Sequence, residues 1–283
     1  MTRYLVTGAG GMLGQDLQTA LHGREVTALT RSDLDVTDRD AVLAAVTGHD
    51  VVINAAAYTN VDGAETHEDE ALAINGRGVE NLAIAARESG ATLLTVSTDY
   101  VFDGAGDRPY PEDAPRNPVN AYGRTKAAGE ELAIAAHPDG AYIVRTAWLY
   151  GLGGPNFAAT MLSLAASNPT VSVIDDQLGQ PTWTHDLAVR LVELAGSDAP
   201  AGVYHGTNAG ETSWFGFARA IFEVAGLDPE RVLPTDSASF VRPAPRPAYS
   251  VLGHQGWSRA GLPPLRDWRV ALEAAAASGV LSR

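Results

Sequence analysis

The 283-residue chain contains no cysteine. Disulfides, thiolate nucleophiles and cysteine-ligated zinc are therefore excluded. Basic residues are scarce: 20 Lys and Arg face 34 Asp and Glu, a formal charge of −14 at pH 7. That balance argues against broad binding to nucleic acid or to an anionic membrane. It leaves room for a phosphate held locally by backbone amides and a few arginines. No apolar run approaches the roughly 20 residues of a membrane-spanning helix. Met1–Val6 enters a short strand pattern directly, without the longer apolar core of a signal peptide. The expectation is a cytoplasmic protein with neither nucleic acid nor membrane as partner. Hydrophobic residues make up 45% of the chain, which is enough for one large domain or two interlocked ones.

Strand and helix patterns alternate from the start. Leu5-Val6 closes a strand, and the Gly-rich turn Thr7-Gly8-Ala9-Gly10-Gly11-Met12-Leu13-Gly14 leads into a helix to Leu21. Gly8, Gly11 and Gly14 allow a tight turn, close approach of backbone to a pyrophosphate, and packing of the helix on a sheet. Met12 and Leu13 then sit at the helix N-terminus that faces the phosphates. Further strands are expected at Glu25–Thr30, Asp50–Asn54, Ala91–Val96, Ala141–Thr146 and Val171–Ile174, with helical patterns between them. Repeated strand–helix units without hairpin signals imply an α/β class with a doubly wound parallel sheet of the Rossmann type. A smaller C-terminal α/β substrate domain follows. The expected division is a dinucleotide-binding domain over 1–147, with a return contribution from about 170–200, and a substrate domain over 148–283.

After the second strand, Arg31 favours a cofactor 2′-phosphate, and Asp35 is placed near the adenine. Asp38 reads equally well as the cap of a helix Arg39–Val46. Ala55, Ala56 and Ala57 leave room for a flat ligand at the end of the third strand. Asn75 lies beside the apolar stripe of a helix from Glu68 to Ser89, suited either to the active site or to a buried hydrogen bond. The central stretch is Ser97-Thr98-Asp99-Tyr100-Val-Phe-Asp-Gly104, followed after a Pro-rich loop by Tyr122-Gly-Arg-Thr-Lys126 on a helix Ala121–Ala136. Tyr122 and Lys126, four apart, share a helix face. A hydroxyl at a strand end, a phenol and an ammonium are the parts needed to protonate a carbonyl oxygen. The nearby ammonium is expected to bring the phenol toward useful acid strength.

Thr7-Gly8-x-x-Gly11-x-x-Gly14, Asn54-Ala-Ala-Ala57, Thr98 and Tyr122-x-x-x-Lys126 resemble the motifs of extended short-chain dehydrogenases/reductases. Four stretches narrow the resemblance to the dTDP-4-dehydrorhamnose reductase family: Ser97–Gly104, Pro118–Lys126, Arg145-Thr-Ala-Trp-x-Tyr150 and Asp176-Gln-x-Gly-x-Pro-Thr182. The resemblance implies NADPH-dependent reduction of the C4 ketone of dTDP-4-dehydro-L-rhamnose to dTDP-L-rhamnose, with NADH as the alternative cofactor. Thr98, Tyr122 and Lys126 are its implied catalytic set, and Lys126 also binds the cofactor ribose. Related dehydratases carry an Asp-Glu pair after the threonine. Here Tyr100 replaces the glutamate, so reduction fits better than elimination.

The expected substrate contacts are Thr98, Asp99, Tyr100, Trp148, Asn156 and Arg246. Asn156 also reads as a helix cap, and Arg246 lies in the rigid Arg242-Pro-Ala-Pro-Arg246-Pro segment that the resemblance puts beside the nucleotide diphosphate. The aromatic-rich helix Ser213–Ala225, with Trp214, is expected in a core. A homodimer is open, since some relatives pair through a carboxylate-held magnesium ion. With Asp16 and His185 at the corresponding positions, no metal site is carried over. Two other readings stay open: a 4-keto reductase of another nucleotide-linked deoxysugar, and a non-catalytic regulatory subunit of the same fold.

Overall fold

In the computed structural model, which describes residues 1–281, strands and helices alternate through the first half. They are β1 (Arg3–Thr7), α1 (Met12–Ala20), β2 (Glu25–Leu29), α2 (Arg39–Val46), β3 (Val51–Asn54), α3 (Val61–Ala64), α4 (Glu68–Leu72), α5 (Val79–Ser89), β4 (Thr92–Thr98), α6 (Ala121–Ala136) and β5 (Ala141–Thr146). The second half carries shorter strands: β6 (Leu149–Tyr150), α7 (Phe157–Ser167), β7 (Val171–Ile174), β8 (Leu178–Gly179), β9 (Thr182–Trp183), α8 (Thr184–Ala195), β10 (Gly202–His205), β11 (Thr212–Ser213), α9 (Trp214–Val224), β12 (Val232–Thr235), α10 (Gln255–Arg259) and α11 (Trp268–Ala277).

The central sheet has six strands in the order β10-β5-β4-β3-β1-β2, all paired in parallel. β3 is buried along its whole length and β1 after its first residue, because crossover helices cover both faces of a parallel sheet. One face packs Leu13 and Leu17 of α1 with Leu187 and Leu191 of α8. The other packs Val42 and Val46 of α2 with Leu82 and Ala86 of α5. A third core gathers Tyr150, Phe217, Phe222 and Leu272 in the second half. The strand order reverses beside β1, so the C-terminal ends of β1 and β3 form the crevice where ligands bind in such sheets.

One expected sheet strand lies elsewhere. Val171–Ile174 pairs with β12, and the sixth strand of the central sheet is β10. The pattern of β7 explains this: Ser172 is exposed between buried Val171 and Val173, which suits a small sheet with one wet face rather than a doubly covered one. Among the described residues no helix is long and apolar enough to cross a membrane.

Local capping follows the sequence closely. Asp38 accepts the amides of Asp40 and Ala41 and so starts α2. Asn120, fully buried, accepts the amide of Gly123 at 2.7 Å and starts α6. The helical run from Glu68 to Ser89 is interrupted by a π-helical turn, Ala73–Gly78. Asn75 sits in that turn. It accepts the Tyr58 amide at 2.9 Å and donates to the Tyr58 carbonyl and to Thr125 Oγ1, both at 3.1 Å. It therefore ties the loop after β3 to α6. The π-helical turn and α6 touch backbone to backbone, because a Cβ on Gly129 would lie 2.0 Å from the Asn75 carbonyl oxygen. This close approach seats α6, with its tyrosine and lysine, against the sheet edge.

Candidate active site

Two adjoining cavities of about 640 and 900 Å³ run along the C-terminal edge of the sheet and share Gly11, Ala55, Ala56 and Ala57 in their walls. The larger one lies under Gly8, Gly10 and the loop after β2, where Arg31 and Asp35 line it. The smaller one is lined by Thr98, Asp99, Tyr100, Tyr122, Lys126 and Trp148, with Met12, Leu13 and Gly14 at its entrance from α1. The fold thus brings the glycine turn and the central stretch of the sequence into one groove.

The glycine turn fits a dinucleotide. Gly8 has φ +70°, and a Cβ there would stand 2.5 Å from the Ala56 amide nitrogen. A Cβ on Gly14 would stand 2.3 Å from the Gly8 carbonyl oxygen. Gly11 caps α1 with no side chain of its own accepting an amide, so the helix N-terminus is left for an anion. The opposite wall is held by Asn54. Its Oδ1 accepts the Thr7 hydroxyl at 2.7 Å and the Ala56 amide at 3.1 Å, and its Nδ2 donates to Thr95 Oγ1 at 2.9 Å. These bonds staple three strands beneath the small Ala55–Ala57 floor.

Arg31 lines the outer cavity at an exposed position. Asp35 lines it too, but its carboxylate accepts the Thr37 amide and hydroxyl at 2.9 and 2.8 Å. The loop is therefore self-bonded on the acidic side and open on the basic side. Arg31→Ala is expected to raise KM for NADPH about tenfold with little change for NADH, since one arginine–phosphate contact is lost. Steady-state kinetics with the two cofactors checks this, and an unchanged ratio contradicts it.

At the inner end Thr98 closes β4. Its hydroxyl donates to Asp99 Oδ1 at 2.9 Å, accepts the Tyr100 amide at 3.2 Å, and lies beside the Tyr122 phenol. Tyr100 packs edge-on against Tyr122, with ring centroids 5.9 Å apart. Asp99 is 2% exposed, and burial raises its carboxyl to about 6 against the bonds from Ser250 and Thr98. Lys126, the only lysine in the chain, donates from Nζ to the Val96 carbonyl at 2.7 Å. Burial lowers its ammonium to about 8, while Glu130 opposes the shift.

One expectation about this group is reversed. Burial, reinforced by the Asp99 charge, pushes the Tyr122 phenol up from its usual value, and Thr98 only partly offsets this. The lysine, tied to the strand carbonyl, does not bring it down. Tyr122 is thus held as the protonated phenol.

Trp148 lines the inner cavity with φ +48°, a left-handed conformation that is costly for a bulky residue. Its ring stacks on Trp214, with centroids 3.5 Å apart and planes 10° from parallel. Gly179 makes room for that ring, since a Cβ there would lie 2.6 Å from it. Trp214 meets the core expectation in part: Phe217 and Phe222 of the same helix are buried in the third core and Trp214 packs against it, but as the first residue of α9 it also lines the cavity. Helix periodicity alone does not separate the two outcomes.

Two expected substrate contacts are placed differently. Asn156 lies outside the lining of both cavities. Its Oδ1 accepts the Ala159 amide at 3.0 Å and its Nδ2 donates to the Gly151 and Gly154 carbonyls, so its polar groups are spent capping α7. Arg246 also lies off both linings. Its guanidinium donates to Asp62 Oδ1 at 2.9 Å and to the Ala244 carbonyl at 2.6 Å, close enough to act electrostatically on Tyr100 at the rim. Asp62, which sequence reasoning passed over, holds the Arg-Pro segment on α3. Asp16 accepts the Thr184 hydroxyl at 2.5 Å, and the described residues contain no group of three or more His, Asp or Glu arranged to hold a metal.

The family model described as the RmlD substrate binding domain matches residues 2–280. A dTDP-4-dehydrorhamnose reductase of Streptomyces griseus is 55% identical over 278 residues, covering 95% of this chain and 91% of its own. A dTDP-4-keto-6-deoxy-D-glucose reductase of Streptomyces niveus is 50% identical, covering 95% of each. A crystal structure of the dTDP-4-dehydrorhamnose reductase of Bacillus anthracis str. Ames in complex with NADP superposes with a TM-score of 0.92 at 37% identity, over 97% of this chain and 98% of that one. The match to the family model along nearly the whole length, on a fold whose crevice gathers the glycine turn with Thr98, Tyr122 and Lys126, leads to one conclusion: the chain belongs to the dTDP-4-dehydrorhamnose reductase family.

Proposed function

We propose that this protein reduces the C4 ketone of dTDP-4-dehydro-L-rhamnose with NADPH, giving dTDP-L-rhamnose, in the cytoplasm. The observation that carries the reading is the convergence of the Gly8–Gly14 turn and the Thr98, Tyr122 and Lys126 side chains on one groove. When bound, the nicotinamide cofactor supplies the hydride. The amides at the start of α1 hold its pyrophosphate, and Arg31 favours the 2′-phosphate. Tyr122 holds a proton on its phenol until the alkoxide forming at O4 takes it. Thr98 fixes the angle of the carbonyl oxygen, and Lys126 donates to the ribose and balances the charge that develops on the tyrosine. Such proton transfer contributes about 10²–10⁴-fold in rate. The stacked Trp148 and Trp214 form a wall against which the sugar ring lies. Arg246 marks the outer rim, where a rearrangement of its pair with Asp62 would bring it to the diphosphate. In this reading residues 1–147, with α8 and β10 returning to them, bind the dinucleotide, and the rest of the second half encloses the nucleotide sugar.

The Streptomyces niveus relative favours a second reading, reduction of a different dTDP-linked 4-keto-6-deoxysugar. NADPH oxidation with dTDP-4-dehydro-L-rhamnose and with dTDP-4-keto-6-deoxy-D-glucose separates them. The expected result is a kcat/KM at least about tenfold higher for the first, a difference of roughly 1.4 kcal/mol in transition-state binding. The reverse order selects the second reading, and turnover of neither points to a regulatory subunit.

A further inference from the structure

Behind the lysine lies a buried charged network that the proposed reaction does not yet use. We propose that Glu130 is a positioning residue for the ketone reduction: its buried carboxylate, one helical turn beyond Lys126, holds that lysine as a cation and fixes the strand end that carries Thr98. The inference rests on the reductase reading above and adds a residue to it.

Glu130 is 2% exposed and stands at i+4 from Lys126 on α6, hence on the same face. Its Oε1 accepts the Ser97 hydroxyl at 2.6 Å and Arg145 Nε at 2.9 Å. Its Oε2 accepts Arg145 Nη2 at 2.7 Å and Arg116 Nη1 at 3.2 Å. Ser97 sits between Val96, whose carbonyl takes the lysine, and Thr98, which lies beside the phenol. Ser97 and Arg145 are register partners on β4 and β5. One carboxylate therefore clamps both strands at the level of the reacting groups.

The surrounding charges give this clamp an electrostatic effect as well. On α6, Tyr122 and Glu130 flank the lysine. From the end of β4 comes Asp99, from β5 Arg145, and from the loop before α6 Arg116. Behind them, His205 of β10 contacts Arg145 Nη1 at 3.3 Å. Burial, then the neighbouring guanidinium, holds that imidazole down at about 3, so it adds no charge. Glu112 takes Arg145 Nη1 on its backbone carbonyl at 3.2 Å. Its carboxylate turns away to the Gly256 amide at 2.6 Å. Arg145 and Arg116 both bind the carboxylate, and Arg116 is also paired with Glu131 of α6 at 3.0 Å. Removing Glu130 takes away the opposite charge that supports the Lys126 cation. Removing Arg116, whose side chain is 25% exposed, frees Glu130 Oε2 of one of its two cationic partners and so leaves more of the carboxylate charge acting on the lysine.

Because the chain has a single lysine, the group can be read directly. Protein labelled with 13C-lysine gives one Cε resonance, titrated alongside the pH profile of kcat/KM. Wild-type protein is expected to titrate near pH 8. In Glu130→Gln the midpoint moves lower. With less of the lysine charged, kcat/KM falls about fivefold at pH 8 and less than about twofold at pH 6, the result of losing one nearby opposite charge. In Arg116→Gln the midpoint moves higher and turnover at pH 7 is retained. Should Glu130→Gln fail to fold, because Arg145 is left buried without its counter-charge, the Arg116→Gln titration still decides. An unmoved midpoint in folded Glu130→Gln, or an unmoved or lowered midpoint in Arg116→Gln, overturns the proposal. The titration does not depend on substrate. Failure of the reductase reading appears separately, as absent turnover in the wild type.

Discussion

Tyr122→Phe should lose between about 10²- and 10⁴-fold in kcat while binding NADPH as tightly as wild type. In the proposed reaction this phenol, which lines the inner cavity beside Thr98, is the proton donor to the ketone oxygen. Burial and the Asp99 charge raise its proton affinity, so the proton stays in place until hydride arrival turns the carbonyl into an alkoxide. Phenylalanine keeps the edge-on contact with Tyr100, now at 5.9 Å between centroids. The thermal midpoint should therefore move by no more than a few degrees, as for other substitutions that open no cavity. Kinetics and cofactor titration on one preparation check both halves. A fall in kcat and kcat/KM together identifies an interaction made in the transition state. A variant with wild-type turnover would remove Tyr122 as proton donor.

Gly14→Ala should weaken NADPH binding by about 10²-fold, the scale expected when a binding element is displaced by roughly an ångström. Gly14 is a helical residue with ordinary backbone angles, so conformational strain is not the reason. Its new Cβ would meet the Gly8 carbonyl oxygen at 2.3 Å and Ala9 Cα at 2.7 Å. Both are backbone atoms that no rotamer change can move. Either α1 shifts away from the turn or the turn opens, and both outcomes take the helix amides off the pyrophosphate. The effect is read by fluorescence titration of NADPH, with the far-UV spectrum as the control for folding. The contrast is Gly11→Ala, whose Cβ would find only the Gly8 carbonyl oxygen, at 3.4 Å. It should cost much less, and equal losses at the two sites would refute this account of the turn.

Several features are legible in the sequence. α6 and β5 have the ends that the sequence suggests, Ala121–Ala136 and Ala141–Thr146, because an Asn cap and a β-branched apolar run leave little choice. The glycine spacing identified the turn, and its close backbone contacts supply the reason. The Tyr122-x-x-x-Lys126 spacing identified one helix face. The aromatic wall was not legible: Trp148 and Trp214 lie 66 positions apart and meet only because β6 and α9 converge beside Gly179. Glu130 was hidden for a related reason. An acidic residue four after a lysine on an Ala-rich helix usually belongs to a solvated surface. Only the packing of α6 against β4 and β5 buries it and supplies Ser97 and Arg145 as partners.

The division has a physical basis. Motifs short enough to be set by local backbone geometry are written in consecutive residues, and here they specify a nucleotide crevice and a proton donor. The charge states of that donor and its neighbours are set by burial and by distant partners. The sequence alone suggests an acidified tyrosine beside a lysine. The tertiary structure instead removes water from both, ties the lysine to the Val96 carbonyl and raises the phenol. It also decides that Asn156 caps a helix and that Arg246 pairs with Asp62. Side chains with several available partners are committed only when the fold fixes which one is nearest.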